Sequence, residues 1–220
     1  MVKHLFLFGG VPPFTCRMAK EFAKLVERSK NPSVTILTVE REGWEDYIPN
    51  YTQLLKKEGI HRFHLCPLPS TPIVEVMDHV RSSSGIIIGG GNTNRYADYI
   101  VDTPIAKVIV ERHEQGIPVA GFSAGALISP NQCVISAKDN DSKVYQEREG
   151  LGLLSNVLIA VHFSQWHEEQ HLRDAVQQHR RFRNYGIDEH TCAYFVNEEL
   201  RGVEGEGVYT IQGQQLNRLN

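Results

Sequence analysis

The chain has 220 residues, of which 41% are hydrophobic and 22% charged, and its formal net charge at neutral pH is −3. These values are typical of a globular protein with one full hydrophobic core, and the absence of a lysine- and arginine-rich block argues against a nucleic-acid surface. The four cysteines are widely separated and form no C-x-x-C pair, which excludes a cysteine zinc site or a disulfide framework as the organising feature.

Strands and helices alternate through the first half of the chain. β-Branched and other apolar runs predict the strands, and apolar residues at helical spacing predict the helices. The predicted strands cover residues 3–8, 34–39, 62–65 and 85–88, and the predicted helices cover 15–29, 47–58 and 73–80.

The second half begins with a short helical patch over 96–100 and a helix that has Thr103 as its N-cap, Pro104 at its first position and Gly116 at its end. Further elements follow in chain order. They are a strand over 117–122, a polar irregular segment over 131–150, a strand over 157–161, a polar helix over about 166–180, and strands over 191–196 and 207–212 that suit an antiparallel hairpin at the sheet edge.

Together these elements predict one α/β domain over 1–220, a three-layer α/β/α sandwich with a mostly parallel sheet and helices on both faces. In such sheets the ligand site lies at the carboxyl ends of the strands. The glycine-rich turn 89–92, Ser123 and His162 all follow strands directly. The apolar start of the chain is four residues long and fits a buried strand, so we expect a cytoplasmic protein without a membrane span.

Residues 119–126, with the sequence VAGFSAGA, contain a G-x-S-x-G motif between a strand and a helix. In a nucleophile elbow this motif exposes a serine hydroxyl at a strained turn, and the two glycines let strand and helix approach closely. The backbone N–H of Ala124 then lies at a helix start, where it is able to stabilise an oxyanion. A tight strand-to-helix turn without catalysis gives the same pattern.

A serine hydroxyl needs a base to take its proton and an acid to orient that base. His162 is the best-placed base, because it follows a strand as Ser123 does. The residues leave two candidates for the acid, Glu189 just before a strand and Asp139 in the irregular segment. The turn 89–92 lacks the pattern of a phosphate-binding loop and suits the second half of an oxyanion hole.

Four motifs occur in a fixed order: GGGNT at 89–93, GFSAGA at 121–126, HF at 162–163 and GIDEHT at 186–191. Together they resemble the serine peptidase family of peptidase E (α-aspartyl dipeptidase) and cyanophycinase. The resemblance covers about residues 85–195 and implies the fold of class I glutamine amidotransferase-like domains. It also implies a serine exopeptidase acting on short peptides, most simply dipeptides with an N-terminal aspartate, without a metal or cofactor, and it leaves room for a homodimer.

The resemblance implies a role for each motif residue. Ser123 is the expected nucleophile and His162 the general base. Glu189 matches the glutamate of cyanophycinase-like members and is the favoured acid, whereas peptidase E suggests an aspartate nearer the elbow, for which Asp139 is the alternative. The remaining assignments are Gly90, Gly91 and Ala124 for the oxyanion hole and Asn92 and Thr93 for substrate binding.

The chain also departs from cyanophycinases, which carry Asp-Gln before the histidine and arginines soon after it. Ala160 and Val161 precede His162 here, and no arginine occupies the positions of Trp166, Glu168 and His171, which disfavours the cyanophycin polymer as substrate. An aspartate-specific site requires a cation. The arginines available near the motifs are Arg173, Arg180, Arg181 and Arg183, none of them placed by a motif.

Three other functions remain open at this stage. Residues 167–171 read H-E-x-x-H, which on a helix would place two histidines around zinc with Glu168 as the base. The order Ser123, Asp139, His162 would satisfy an α/β-hydrolase esterase. A binding or regulatory domain that keeps the fold without turnover is the non-enzymatic alternative.

Overall fold

Short runs of apolar and β-branched residues form the strands. In the computed structural model, which describes residues 1–10 and 12–219, the run Val34–Val39 is wholly buried, as expected of a strand covered on both faces. The strands are β1 (His4–Phe8), β2 (Val34–Val39), β3 (Phe63–Leu68), β4 (Gly85–Ile88), β5 (Val119–Phe122), β6 (Gln132–Ile135), β7 (Gln146–Glu149), β8 (Val157–Ala160), β9 (Arg183–Ile187), β10 (Cys192–Val196), β11 (Glu199–Glu204), β12 (Val208–Gln212) and β13 (Gln215–Arg218).

The helices lie in the connections between these strands. They are α1 (Cys16–Val26), α2 (Ile48–Lys57), α3 (Ile73–Ser82), α4 (Thr93–Tyr96), α5 (Pro104–Glu114), α6 (Ala124–Leu127) and α7 (Glu169–Gln178), with a 3₁₀ turn at Trp44–Tyr47 and a π-helical turn at Ala97–Val101. The predicted start of α5 is confirmed, since the Thr103 hydroxyl accepts a hydrogen bond from the Ile105 N–H at 3.3 Å. Among the described residues, no helix is both long enough and apolar enough to cross a lipid bilayer.

The large sheet has seven strands in the order β11-β10-β1-β5-β4-β2-β3. The five strands from β1 to β3 in this order run parallel, and β10 and β11 are antiparallel additions beside β1. The predicted mostly parallel sheet is therefore confirmed. Phe8 in β1 and Phe122 in β5 are register partners, so the residues that follow them, Gly9 and Ser123, emerge at the same edge.

A second sheet of four strands, in the order β13-β12-β9-β8, was not predicted. The strand that leads into His162, β8, belongs to this sheet and not to the large one. The predicted hairpin of the two late strands is wrong, because β10 pairs with β1 and β11 whereas β12 pairs with β9 and β13. The segment 131–150 is also not wholly irregular, since β6 and β7 form an antiparallel hairpin within it.

Alternation along β1 divides the core into two faces. Phe6 and Phe8 point to the face covered by α1 and α2, where they join a buried cluster with Phe22 and Leu55. Residues on the other face of the sheet, Leu5 and Leu7 among them, pack with α3, α5 and the strands β8 and β9. The outer face of the second sheet is covered by α7 through Leu172 and Ala175.

Buried His113 on α5 makes stability sensitive to acid. Only 2% of this residue is exposed, and Nδ1 has no hydrogen-bond partner among the described residues. Burial, reinforced by the nearby positive charge of Lys3, lowers the pKa of His113 to about 4. The folded protein thus holds the imidazole neutral, and its contribution to stability is complete above pH 6.5 and is lost as the pH falls from 6.5 towards 4.

We therefore expect His113→Leu to lessen the acid sensitivity of folding. Between pH 7 and pH 4 the wild type should lose about 3 kcal/mol more unfolding free energy than the variant, since each unit of pKa shift corresponds to roughly 1.4 kcal/mol. Urea denaturation at several pH values measures the difference. The exposed His61 provides the control substitution, and an equal pH dependence in wild type and His113→Leu would contradict the prediction.

Candidate active site

Ser123 occupies the turn between β5 and α6 in a backbone conformation that is rare for a residue with a side chain, with φ 49° and ψ −107°. Such conformations cost roughly 1–3 kcal/mol and are concentrated at functional sites. The flanking glycines make the turn feasible: a Cβ on Gly121 would lie 2.4 Å from the Gly125 carbonyl oxygen, and one on Gly125 would lie 2.4 Å from that of Ile88. The motif thus forms the predicted elbow, and the serine is buried with 7% exposure.

His162 lies against this serine. Its Nε2 is 2.9 Å from the Ser123 hydroxyl oxygen. The backbone N–H of His162 donates to the Gly9 carbonyl at 2.6 Å, which fastens the end of β8 to the end of β1 although the two strands belong to different sheets. The Trp166 indole stacks on the imidazole with ring centroids 4.1 Å apart and an interplanar angle of 11°, so the ring plane is fixed.

Glu189, in the turn between β9 and β10, completes the chain of hydrogen bonds. Its Oε1 lies 2.7 Å from His162 Nδ1, and its own backbone N–H donates to the Gln165 side chain at 3.0 Å. A carboxylate at Nδ1 selects the tautomer in which Nδ1 carries the proton and Nε2 is free to accept one from serine. Ser123, His162 and Glu189 therefore have the geometry of a serine–base–acid relay.

The predicted oxyanion-hole residues also come together, with one difference. Gly90 is in contact distance of the elbow, since a Cβ built on it would lie 3.2 Å from Ser123 Cβ. Its N–H, however, donates to the Tyr51 hydroxyl at 3.1 Å. Within residues 1–10 and 12–219, the N–H groups of Gly91 and Ala124 make no hydrogen bond. Gly91 and Ala124 therefore stay the predicted donors to a developing oxyanion.

Asp139 forms neither a hydrogen bond nor an ion pair with His162. Its Oδ2 instead accepts a hydrogen bond of 2.6 Å from the Thr93 hydroxyl, and burial raises the pKa of the carboxyl to about 6. The acid at the imidazole is Glu189, which follows the histidine in the chain, so the Ser–Asp–His order of an α/β-hydrolase is not formed. Asn92 caps α4 by accepting from the Arg95 N–H at 3.1 Å. Substrate contact by Asn92 and Thr93 stays a prediction.

A cavity of about 210 Å³ opens over Ser123. Its walls come from six separate parts of the chain. The lining residues are Pro12, Arg41, Tyr47, Tyr51, Gly90, Gly91, Ser123, Asp139, His162 and Trp166. Neither Asn92 nor Thr93 is among them.

Sequence reasoning missed Arg41 and the two tyrosines. Arg41 follows β2 at the same carboxyl edge of the sheet, which is the signal that would have found it. Its guanidinium lies 4.7 Å from the centre of the Tyr47 ring and, among the described residues, forms no ion pair. By contrast, Arg173 pairs with Glu169 and Arg183 with Glu199, and none of the four arginines considered from sequence lines this cavity.

The H-E-x-x-H stretch does not form a zinc-binding helix face. The helix was predicted from about residue 166, but it begins at Glu169, and His167 lies in the preceding turn with φ 54°. The turn forms because the Glu168 N–H bonds to the Phe163 carbonyl at 2.9 Å, which leaves His167 outside the helix that holds His171. In the described part of the chain, no group of three or more metal-ligating side chains is present.

The metal alternative has a direct test. We expect that saturating EDTA and the substitution His167→Ala each leave hydrolytic activity within about twofold of the wild type, since neither touches the Ser123–His162–Glu189 relay. Initial rates on a dipeptide, measured before and after dialysis against the chelator, provide the readout. If activity is lost in the chelator and restored by added zinc, the reaction depends on a metal and the prediction is wrong.

Comparison with known proteins agrees with these features. A curated cyanophycinase from Geminocystis herdmanii (strain PCC 6308) is 28% identical over 151 residues, which cover 66% of this chain and 56% of the relative. A cyanophycinase from Trichormus variabilis (strain ATCC 29413 / PCC 7937) is 30% identical over 141 residues, covering 62% of this chain and 47% of the relative. The chain thus spans about half the length of these relatives.

The fold is shared with a solved structure of a peptidase from an acI-B1 Actinobacterium, with a TM-score of 0.76 at 22% identity, over 100% of this chain and 94% of that one. Residues 13–203 match the family described as peptidase family S51. Because this match spans most of the chain, the protein belongs to peptidase family S51, the family of cyanophycinase and peptidase E that its motifs resemble.

Proposed function

We propose that this protein is a serine exopeptidase that hydrolyses short peptides, most simply dipeptides with an N-terminal aspartate. The observation that carries the proposal is the continuous chain of hydrogen bonds from the Ser123 hydroxyl through His162 to Glu189, at 2.9 and 2.7 Å. Family membership gives peptidase chemistry as its general class. The serine mechanism, the exopeptidase restriction and the aspartate preference are our additions.

In this mechanism Ser123 attacks the scissile carbonyl carbon while His162 Nε2 takes the hydroxyl proton. The resulting imidazolium is stabilised by the Glu189 carboxylate at Nδ1. His162 then gives its proton to the leaving amine, the C–N bond breaks and an acyl-enzyme remains. Water, deprotonated by the same imidazole, hydrolyses the ester and restores the serine. The N–H groups of Gly91 and Ala124 would stabilise the oxyanion formed in each half of the reaction.

The size of the cavity favours short substrates. Its volume of about 210 Å³ lies below the range of roughly 300–1,000 Å³ that is typical of pockets for drug-sized ligands. Its lining includes Pro12, the two tyrosines, Asp139 and Trp166. Such a space suits one or two residues better than an extended polymer, in agreement with the absence of arginine at positions 166, 168 and 171.

The aspartate preference is supported by Arg41. A guanidinium that lines the cavity of the nucleophile and has no carboxylate partner among the described residues offers a bidentate partner for a substrate carboxylate. The guanidinium carbon lies over the Tyr47 ring, 4.7 Å from its centroid, in a cation–π contact, and the described residues show no hydrogen bond from the Arg41 side chain. Arg41 therefore takes the role for which the sequence alone offered Arg173, Arg180, Arg181 or Arg183.

The first test of the proposal is hydrolysis of a panel of X-Leu dipeptides, X including aspartate. We expect the wild type to cleave Asp-Leu and Ser123→Ala to lose about 10⁶-fold in turnover, with Glu189→Gln losing about 10⁴-fold, as in other triads. A fluorophosphonate probe should label the wild type at Ser123 and leave Ser123→Ala unlabelled. If a folded wild type shows no cleavage and no labelling, the result would favour a binding domain without turnover.

Substrate preference is tested separately with Arg41→Gln. Because a hydrogen-bonded charge pair contributes roughly 1.5–3 kcal/mol, the ratio of kcat/KM for Asp-Leu over Asn-Leu should fall about 10- to 100-fold. Arg62→Gln is the matched control, since this exposed arginine precedes β3 at the opposite edge of the sheet. An unchanged ratio in Arg41→Gln would assign the preference to another group.

A further inference from the structure

Asp139 is a carboxylate in the nucleophile's cavity that the proposed relay does not use. It lies in the connection between β6 and β7 and lines the cavity together with Ser123 and His162. The Thr93 hydroxyl holds its Oδ2 at 2.6 Å, which fixes the side chain. Among the described residues, Oδ1 accepts no hydrogen bond, and no lysine or arginine forms an ion pair with this carboxylate.

The relay has no position left for a second carboxylate. His162 has two ring nitrogens, and both are engaged, Nδ1 by Glu189 at 2.7 Å and Nε2 by Ser123 at 2.9 Å. Asp139 is therefore not an orienting acid in this arrangement. A partly buried carboxylate without a cation is costly unless a ligand supplies one. A cationic group of a ligand in the cavity would offset this cost.

We propose that Asp139 binds the α-ammonium group of the first residue of the substrate. The argument rests on the proposed function, because it takes the attacked carbonyl to belong to that residue. In a peptide the α-nitrogen is two bonds from the carbonyl carbon, so the ammonium has to lie in the same cavity as the Ser123 hydroxyl. A carboxylate with a free oxygen is the partner that an ammonium requires there.

This assignment gives the cavity two charges of opposite sign, the Asp139 carboxylate and the Arg41 guanidinium. An N-terminal aspartyl residue carries the complementary pair, an ammonium and a side-chain carboxylate. Recognition of the ammonium also explains an exopeptidase, since an internal residue offers only a neutral amide N–H in its place. Without the Asp139 carboxylate, the substrate ammonium would have no charged partner. With an N-blocked substrate, the carboxylate would have none.

The test compares free and blocked substrates in Asp139→Asn. Aspartyl p-nitroanilide presents the ammonium, N-acetyl-aspartyl p-nitroanilide lacks it, and p-nitrophenyl acetate reports the relay alone. We expect kcat/KM for the free anilide to fall about 10- to 100-fold, mainly through KM, because a hydrogen-bonded charge is lost. Rates on the acetyl anilide and the acetate ester should stay within about threefold. Asp78→Asn, on the exposed face of α3, is the control.

A pH profile supplies a second readout. Burial raises the pKa of Asp139 to about 6, Glu168 also raises it, and the Thr93 hydrogen bond and Lys143 lower it. The other ionisable groups around the cavity are His162, Glu189, Arg41, Tyr47 and Tyr51, and His171 lines a second, smaller pocket together with Asp139. Since a neutral Asp139 loses its hold on the ammonium, kcat/KM should fall more steeply below pH 6 for the free anilide than for the blocked one. This difference should vanish in Asp139→Asn.

One result overturns the inference directly: an equal loss of kcat on all three substrates, which would make Asp139 a positioning residue for His162. Failure of the proposed function is separable, because binding is measurable without turnover. In Ser123→Ala, calorimetry should show aspartyl amide binding at least tenfold more tightly than N-acetyl-aspartyl amide. Adding Asp139→Asn to this variant should abolish that difference in affinity. A difference that persists in the double variant, or no preference in Ser123→Ala itself, would contradict the inference. Both results can be obtained even if the protein cleaves no peptide.

Discussion

The end of β1 is the point on which the geometry of the candidate site depends. The Phe8 carbonyl accepts the Ser123 N–H at 2.9 Å, and the next carbonyl, of Gly9, accepts the His162 N–H at 2.6 Å. Glu189 packs directly on Gly10, where a Cβ would lie 2.8 Å from its Cγ. Three consecutive residues thus position a loop after β5, a loop after β8 and a loop after β9. Both glycines are required by these approaches, since a Cβ on Gly9 would meet the Ile187 carbonyl oxygen at 2.2 Å.

This arrangement explains how two sheets build one relay. The serine comes from the large sheet, the histidine from the second sheet, and the glutamate from the connection between them. Both Ser123 and His162 have positive φ, at 49° and 50°, conformations that cost energy and persist only where the surroundings fix them. For both residues that constraint comes from hydrogen bonds to Phe8 and Gly9 at the end of the fully buried strand β1. The stacked Trp166 ring constrains the His162 imidazole further.

Much of this was predictable from sequence, and the omissions have a common physical origin. The strands and helices before residue 130 follow from local periodicity, and the elbow follows from the steric demand for glycine around Ser123. The second sheet depends on pairing between strands far apart in sequence, such as β9 with β12, for which local pattern gives no signal. Gly9 and Gly10 directly follow the predicted strand over 3–8, and local pattern gives no sign of their role, because it arises from chain segments more than 100 residues away. Arg41 is a different case, because its position just after β2, at the carboxyl edge of the sheet, was a signal that the sequence did offer.

The relay residues are held by buried strands, whereas the charged residues of the cavity lie on surface connections. This difference affects which positions can vary within the family. The relay residues are tied by backbone hydrogen bonds to buried strands, so the attack geometry changes little when surface loops change. Arg41 and Asp139, for which we propose substrate contacts, lie on connections after β2 and between β6 and β7. Loops of this kind accept substitution at low cost to the core, so the charge pattern of the cavity is free to change while the chemistry stays the same. Relatives that share the motifs but act on other peptides are therefore expected to differ first at these two positions.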